Sequence, residues 1–378
     1  MSFSIINDTA EKLFSNEVDK QLIEQVEKGH FPESLWQQNI DLGFTTLFCK
    51  EDFGGIEAPW VDAYPVFYHI GYHQVPLPIA ETAIANLILS AADSAYLTDR
   101  PIAIATADQP QILNIDDTNS IHGEIKNVKW ARYSDYLLLT INASQLVLID
   151  LNAEGVKIIE GVDTSQMPAD TVQFNQVMIK EVIQNPFTNL EDPIKVFGAA
   201  ARSVMIVGAL EFALDQSVQY AKDRIQFGKP IGKNQALQQQ LALMAGEVAV
   251  SRASAFMACK DLPDVNQLIA DSAEFSVAAA KVCTGDAVTN GTSIAHQVHG
   301  AIGFTYEHSL NFATRRLWAW RGDFGNASQW ARKIGQGFAQ QSGEEFWPTL
   351  TQRILPKANK DHLQVVNNVQ PIKQTGVA

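Results

Sequence analysis

The hydrophobic period changes twice along this chain, and that change fixes the kind of fold it can adopt. Up to about residue 100 apolar residues recur at helical spacing. "VDKQLIEQVEKG" puts Val18, Leu22, Ile23 and Val26 on one face and stops at Gly29, and "PESLWQQNIDLG" repeats the device as far as Gly43. From Pro101 the texture becomes short, β-branched and partly alternating, in "PIAIATA", "IHGEIKNV", "YLLLTI", "QLVLIDL", "GVKIIEG" and "TVQFNQVMI". Runs of this kind, broken by Gly, Asn and Asp, predict antiparallel strands. Near Pro186 the helical period returns and lasts to about residue 345.

The expected fold class is therefore α+β. It comprises an N-terminal helical domain over 1–100, a small antiparallel β-domain over 101–187, a C-terminal four-helix bundle over 188–345 and a polar tail over 346–378. A chain of 378 residues is long enough for several cores. Val204 to Leu214 is apolar on nearly all sides, which predicts a helix enclosed by several neighbours. "QALQQQLALMAGEVAVSRASAFMACK" and "SAEFSVAAAKVCTGDAVTNGTSIAHQV" read as two further long helices, and "FATRRLWAWRGDF" opens a fourth.

Composition removes several classes of function. A formal charge of −14 argues against nucleic acid or an anionic membrane surface as the main partner, while leaving a small anionic ligand possible. The three cysteines are widely spaced and read as free thiols. No basic n-region opens the chain, and no uncharged apolar run reaches 18 residues, so neither a signal peptide nor a membrane span is expected. The expected location is cytoplasmic. HExxH, GxSxG and GxxxxGK[ST] are absent, and His296 with His299 has no third ligand nearby in sequence, which favours a structural pair over a metal site.

One stretch invites chemistry. In "RIQFGKPIGKNQ", from Arg224, Gly228 and Pro230 close a helix, yet Arg, Gln, Phe and Lys crowd the same exposed turn. A guanidinium at 224 can take a pyrophosphate bidentately, Phe227 offers a stacking face, and Gln235 opens a helix whose N-terminus attracts anions. Further on, Gln297, Gly300 and Gly303 punctuate "QVHGAIGF". Two such breaks on one bundle are either capped helix ends or a site for an extended dinucleotide.

"YAKDRIQFGKPIGKNQALQQQLALM" followed by "HQVHGAIGFTYEHSLNFATRR" resembles the C-terminal domain of acyl-CoA dehydrogenases. "LGFTTLFCKEDFGG" and "HIGYHQVPLPIAET" resemble that family's N-terminal helical domain. The resemblance spans roughly residues 15 to 340. It implies an FAD cofactor, an acyl-CoA substrate and an electron-transfer flavoprotein as acceptor. It also implies that Arg224, Gln226 and Phe227 hold the pyrophosphate and adenine end of FAD, with Ile231, Asn234 and Gln235 nearby. In the family this segment reaches the flavin of a neighbouring subunit, and Gln297 and Gly300 contact FAD from the other side. A homo- or hetero-oligomer of dehydrogenase-like chains follows from that arrangement.

The sequence departs from the family at the chemistry. A Glu normally removes the Cα proton while a hydride passes from Cβ to the flavin. The two family placements of that Glu fall here near Gly198 and near Gly325, and Asp323 is the nearest carboxylate and the candidate base. The family's Thr-Glu-Pro-x-x-Gly-Ser-like loop against the flavin corresponds to "ATADQPQILNIDD", which keeps only "TAD". Glu307 and His308 read as structural or close to CoA. The first expectation is α,β-dehydrogenation of an acyl-CoA. The alternatives are an FAD-clamping subunit of a heteromeric dehydrogenase, a flavin monooxygenase, or a non-catalytic interaction protein on this fold.

Overall fold

The computed structural model describes residues 3–356 apart from 110, 117, 118 and 340. The chain opens with α1 (Phe3–Glu17), α2 (Lys20–Glu27), α3 (Glu33–Asp41), α4 (Trp60–Tyr72) and α5 (Ile79–Ala91). Asp19 caps α2 by accepting the Leu22 N–H at 2.8 Å. Gly29 follows its end with φ 93, the left-handed conformation expected of a closing glycine. α4 and α5 are apolar almost all round and are correspondingly enclosed. Trp60 packs on Phe48 at 4.4 Å between ring centroids and on Phe197 at 5.4 Å, tying this domain to the C-terminal bundle.

The middle domain is two four-stranded sheets. One has the order β1 (Ile102–Ala105), β4 (Tyr136–Asn142), β5 (Gln145–Asp150), β8 (Glu181–Gln184). The other has the order β2 (Gln111–Ile115), β3 (Ser120–Lys129), β7 (Ala169–Met178), β6 (Val156–Ile159). Leu137, Leu139, Val147 and Ile149 of the first sheet share a core with Ile121, Ile125, Val172 and Phe174 of the second. Pairing is antiparallel apart from β1 and β4, which run parallel from Ile102↔Tyr136 to Ala105↔Leu139. The chain between them passes through β2 and β3 of the other sheet, a crossover that no hairpin constrains. β2 and β8 are additional to the six runs legible as strands. "QILNI" of β2 is an edge strand with polar Gln111 and Asn114, so it reads as loop.

The C-terminal region contains α6 (Pro193–Asp223), α7 (Gln235–Asp261), α8 (Ala273–His299), α9 (Leu310–Trp320), α10 (Ala327–Phe338) and α11 (Gly343–Gln352). The fourth bundle helix is thus two pieces, α9 and α10. Phe324 (φ 55) and Gly325 (φ 92) turn the chain between them, and a capping box of Asn326 with Gln329 restarts the helix. α4 and α6 approach through reciprocal glycines. A Cβ on Gly71 would lie 1.9 Å from the Met205 carbonyl oxygen, and one on Gly208 2.1 Å from that of Tyr68. α11 continues into what reads as a loose tail, held by a second capping box at Ser342 and Glu345. The remainder of that tail, 357–378, lies outside the described residues.

Among the described residues α6 and α7 are long and apolar enough, by length and composition, to cross a bilayer. Lys195 and Arg202 interrupt the run in α6, so the sequence criterion passes over it. Of its apolar window 89% is buried within the protein, against 28% for α7.

Candidate functional site

The 224–234 turn is a miniature hairpin. β9 (Ile225–Gln226) pairs with β10 (Lys229–Pro230), with Gln226 opposite Lys229. Arg224 ends α6, donating its backbone N–H to the Tyr220 carbonyl at 2.9 Å, while its own carbonyl accepts from Ile231 at 2.9 Å. At the tip both Phe227 (φ 51) and Gly228 (φ 78) are left-handed, the geometry of a type I′ turn. Asn would suit the first of these positions, and a bulky residue there costs about 1–2 kcal/mol. The Phe227 ring is nonetheless fully solvent-exposed, at 101%. An aromatic held in a strained conformation and packed against none of the described residues has the character of a contact surface.

Beside it lies a hollow of about 650 Å³ walled by Arg224, Gln226, Phe227, Ile231 and Asn234 on one side and Gln297 and Gly300 on the other. The structure thus brings both sequence-predicted breaks together around one space. Gln235 is not among the walls. It begins α7, where the Asn234 side chain accepts the Ala236 N–H at 3.0 Å. Tyr220, Leu237 and Ile302, which the sequence does not mark, also face the hollow, as does His299, read from the sequence as one of a structural pair. Tyr220 was findable, since it lies four residues before Arg224 on the same helix.

His299 is buried and stacks on Tyr220 at 4.6 Å, and its Nδ1 lies 2.8 Å from the Ala295 carbonyl. Burial keeps its imidazole pKa below the ordinary value. His296 stacks on Phe304 at 3.9 Å, and His308 accepts the Leu310 N–H at Nδ1, 3.1 Å, steadying the start of α9. Among the described residues no group of three or more His, Cys, Asp or Glu is placed to hold a metal ion. Exposed Arg224, amide side chains and the Phe227 ring suit the phosphate and purine portion of a dinucleotide.

Asp323 lies elsewhere. It borders a separate cavity of about 270 Å³, together with Thr106, Asp108, Gln109, Lys129 and Gly325, and none of the residues walling the hollow walls this cavity. This is where the "TAD" stretch meets the bundle. Thr106 donates its hydroxyl to Asp108 at 2.9 Å, and Asp108 pairs with Lys195 at 2.6 Å. Pro110 and Asp117 of that stretch lie outside the described residues.

The Asp323 carboxylate is already engaged. Oδ2 accepts from Arg202 Nε at 3.0 Å, and Oδ1 is 3.6 Å from Lys129 Nζ. Arg202 also pairs with Glu81 of α5, and Lys129 with Asp163 at 2.7 Å. A chain of buried ion pairs, Glu81–Arg202–Asp323–Lys129–Asp163, therefore links all three domains. Burial alone would lower the Arg202 and Lys129 pKa values, but the flanking carboxylates outweigh it and hold both cations above their ordinary range.

Lys281 of α8, fully buried, donates to the carbonyls of Trp320 and Arg321 at 3.3 Å and of Asp323 at 2.9 Å, which fixes the turn. Burial pushes its ammonium pKa down to about 7. Both alternative base positions are sterically closed. A Cβ at Gly198 would be 2.5 Å from the Phe324 ring, and one at left-handed Gly325 would be 2.8 Å from Trp330 Nε1.

Comparison with known proteins agrees with this architecture. The family model "Acyl-CoA dehydrogenase, N-terminal domain" matches residues 4–95, and "Acyl-CoA dehydrogenase, C-terminal domain" matches residues 197–321. The chain is 26% identical over 300 residues to acyl-CoA dehydrogenase IpdE2 of Mycobacterium tuberculosis, covering 76% of this chain and 80% of that one. It is 28% identical over 293 residues to IpdE2 of Mycolicibacterium smegmatis, covering 77% and 83%. Among solved structures it is similar to the ChsE4–ChsE5 complex from Mycobacterium tuberculosis, with a TM-score of 0.78, 18% identity and coverage of 90% and 98%. PigA with FAD and proline gives a TM-score of 0.76, 18% identity and the same coverage. With the helical domains on either side of the β-domain matched in order, this chain belongs to the acyl-CoA dehydrogenase family.

Proposed function

We propose that this chain is the FAD-clamping subunit of a heteromeric acyl-CoA dehydrogenase. It holds the nucleotide end of a cofactor whose reactive ring is enclosed by a dissimilar dehydrogenase-like partner. The observation that carries this reading is the state of Asp323. Its two oxygens face Arg202 and Lys129, and Phe324 covers Gly198 beside it. A general base must be free to accept a proton from substrate, and a carboxylate bound by two buried cations is not.

At the hollow the residues present fit the nucleotide half of FAD, while the stretch corresponding to the family's loop against the flavin keeps only Thr106, Ala107 and Asp108. At the hollow, Arg224 would meet the pyrophosphate and Phe227 the adenine face, with Gln226, Asn234 and Gln297 supplying amide groups and Gly300 a close backbone. FAD, when bound, supplies the hydride acceptor for α,β-dehydrogenation of an acyl-CoA, and on the family resemblance an electron-transfer flavoprotein is the next acceptor. Neighbours described as FAD complexes and a neighbour described as a two-component complex support the cofactor and the assembly. The partner carries the Glu.

The test is anaerobic addition of straight-chain, branched and sterol-side-chain acyl-CoA thioesters to the purified chain supplied with FAD. No bleaching of the flavin is expected from this chain alone. Bleaching is expected once a dehydrogenase-like chain that has the family Glu is added. Bleaching by the isolated chain overturns the reading.

A further inference from the structure

We infer that a cavity between α4, α6 and α7 is a second ligand site, one that takes an amphipathic organic cation, an apolar body bearing a protonated amine. The cavity measures about 710 Å³, larger than the hollow beside Arg224. It shares no lining residue with that hollow or with the cavity beside Asp323. Spaces of this size hold small organic molecules.

The apolar part of the site is a trough. Ala245, Ala249 and Ala253 recur at every fourth residue of α7, so small side chains follow one another along one face of that helix. Leu214 of α6 and buried Val248 line the same space. On the α4 side Tyr64 and Tyr68 set their rings nearly parallel, 6.4 Å apart, and Phe256 stands edge-on to Tyr64 at 5.8 Å. An apolar body laid in the trough meets alanine methyl groups on one side and aromatic rings on the other.

The polar part selects the charge. Glu211 and Asp215, four apart on α6, both line the cavity, and Arg252 is the single cation among its described lining residues. Arg252 pairs with Glu211 and sits 5.4 Å from the centre of the Tyr68 ring, which neutralises one carboxylate. Asp215 lies at the exposed rim, and the Tyr72 hydroxyl that donates to it at 2.9 Å adds no charge. Ring faces are electrostatically negative and the chain carries −14 overall, so the attraction that remains is for a cation. Arg252 already displays that chemistry, an organic cation set between a carboxylate and a tyrosine face. Tyr64 is 7% exposed, and its hydroxyl has no hydrogen-bond partner of normal geometry among the described residues, which leaves an oxygen for an amine N–H to use. An anionic head group would instead face two carboxylates.

The test titrates octylamine, octanol and octanoate separately into the full chain at neutral pH and follows the heat. Octylamine is expected to bind at least about 10-fold more tightly than octanol, and octanoate more weakly than either. Asp215→Asn is expected to weaken octylamine by about 5-fold or more and to leave octanol unchanged. Ala249→Trp, at an exposed position on the trough, is expected to weaken amine and alcohol alike by about 10-fold or more, with helical content unchanged. ADP binding at the hollow should be the same in every variant, so failure of the cation site and failure of the FAD reading are distinguishable. Equal affinity for the three ligands, preference for octanoate, octylamine binding untouched by Asp215→Asn or by Ala249→Trp, or no binding at all would each overturn the inference.

Discussion

Gly198 lies beneath the ring of Phe324, so close that a single added carbon would stand 2.5 Å from the ring edge. In the family resemblance Gly198 is one of the two places for the catalytic Glu. Here the ring occupies the space that its side chain would need, and Phe324 is held there by a left-handed turn that Lys281 braces from below. Gly198→Ala is expected to lower stability by about 1–3 kcal/mol through overpacking. The loss should largely disappear in the Gly198→Ala, Phe324→Ala double variant when each is compared with its parent by urea unfolding. An equal loss in both backgrounds would mean that the ring is not the obstacle.

Asp323→Asn removes one carboxylate from a chain of buried ion pairs, but Arg202 keeps Glu81 and Lys129 keeps Asp163. The expected cost is about 1–3 kcal/mol in urea unfolding, below that of stripping a buried ion of its only partner. ADP binding should not change, because the cavity beside Asp323 and the hollow beside Arg224 share no wall. A variant of unchanged stability that abolishes substrate-driven flavin bleaching in the assembled enzyme would restore Asp323 as a base.

Phe227 carries a conformational cost for an exposed ring. Phe227→Asn places the residue preferred in a type I′ turn and is expected to raise stability by about 1 kcal/mol. It should weaken ADP binding about 5- to 100-fold through lost stacking. Arg224→Ala is expected to weaken ADP about 10- to 100-fold and to leave stability within about 0.5 kcal/mol, since its backbone bonds to Tyr220 and Ile231 survive. Calorimetric titration and thermal unfolding of the two variants check both halves of the statement.

Lys281 gives the fold a pH dependence of definite sign. Burial lowers its pKa from 10.5 to about 7, so between those values the folded chain binds fewer protons than the unfolded chain at this position. Its contribution to stability therefore rises as pH increases through that window, by at most about 1.4 kcal/mol per pH unit. Lys129 behaves oppositely and in another window. Its raised pKa gives stability that is complete below 10.5 and lost at still higher pH. Unfolding free energy measured from pH 7 to 10 is expected to climb less steeply in Lys281→Met than in the wild type. Parallel curves would contradict this.

Much of the architecture could be read from periodicity, because α2, α3, α6, α7 and α8 bury or expose residues at helical spacing and end at recognisable caps. The two walls of the hollow were legible because Arg224, Phe227, Gln297 and Gly300 have chemistry unusual for closing helices. What the sequence did not disclose depends on long-range placement. Nothing local connects Glu81, Arg202, Asp323 and Lys129, which come from three domains and satisfy one another only after folding. The parallel pairing of β1 with β4 is equally non-local, and the break between α9 and α10 rests on Phe324 adopting a conformation that residue type disfavours.

Calorimetric comparison of ADP with FAD on the full chain decides whether this chain holds the nucleotide half of FAD and not its ring. The two ligands are expected to bind at the same hollow with affinities within a few-fold of each other, and both to weaken together in Arg224→Ala. FAD binding at least 100-fold tighter than ADP, together with flavin bleaching by acyl-CoA in the isolated chain, would contradict it.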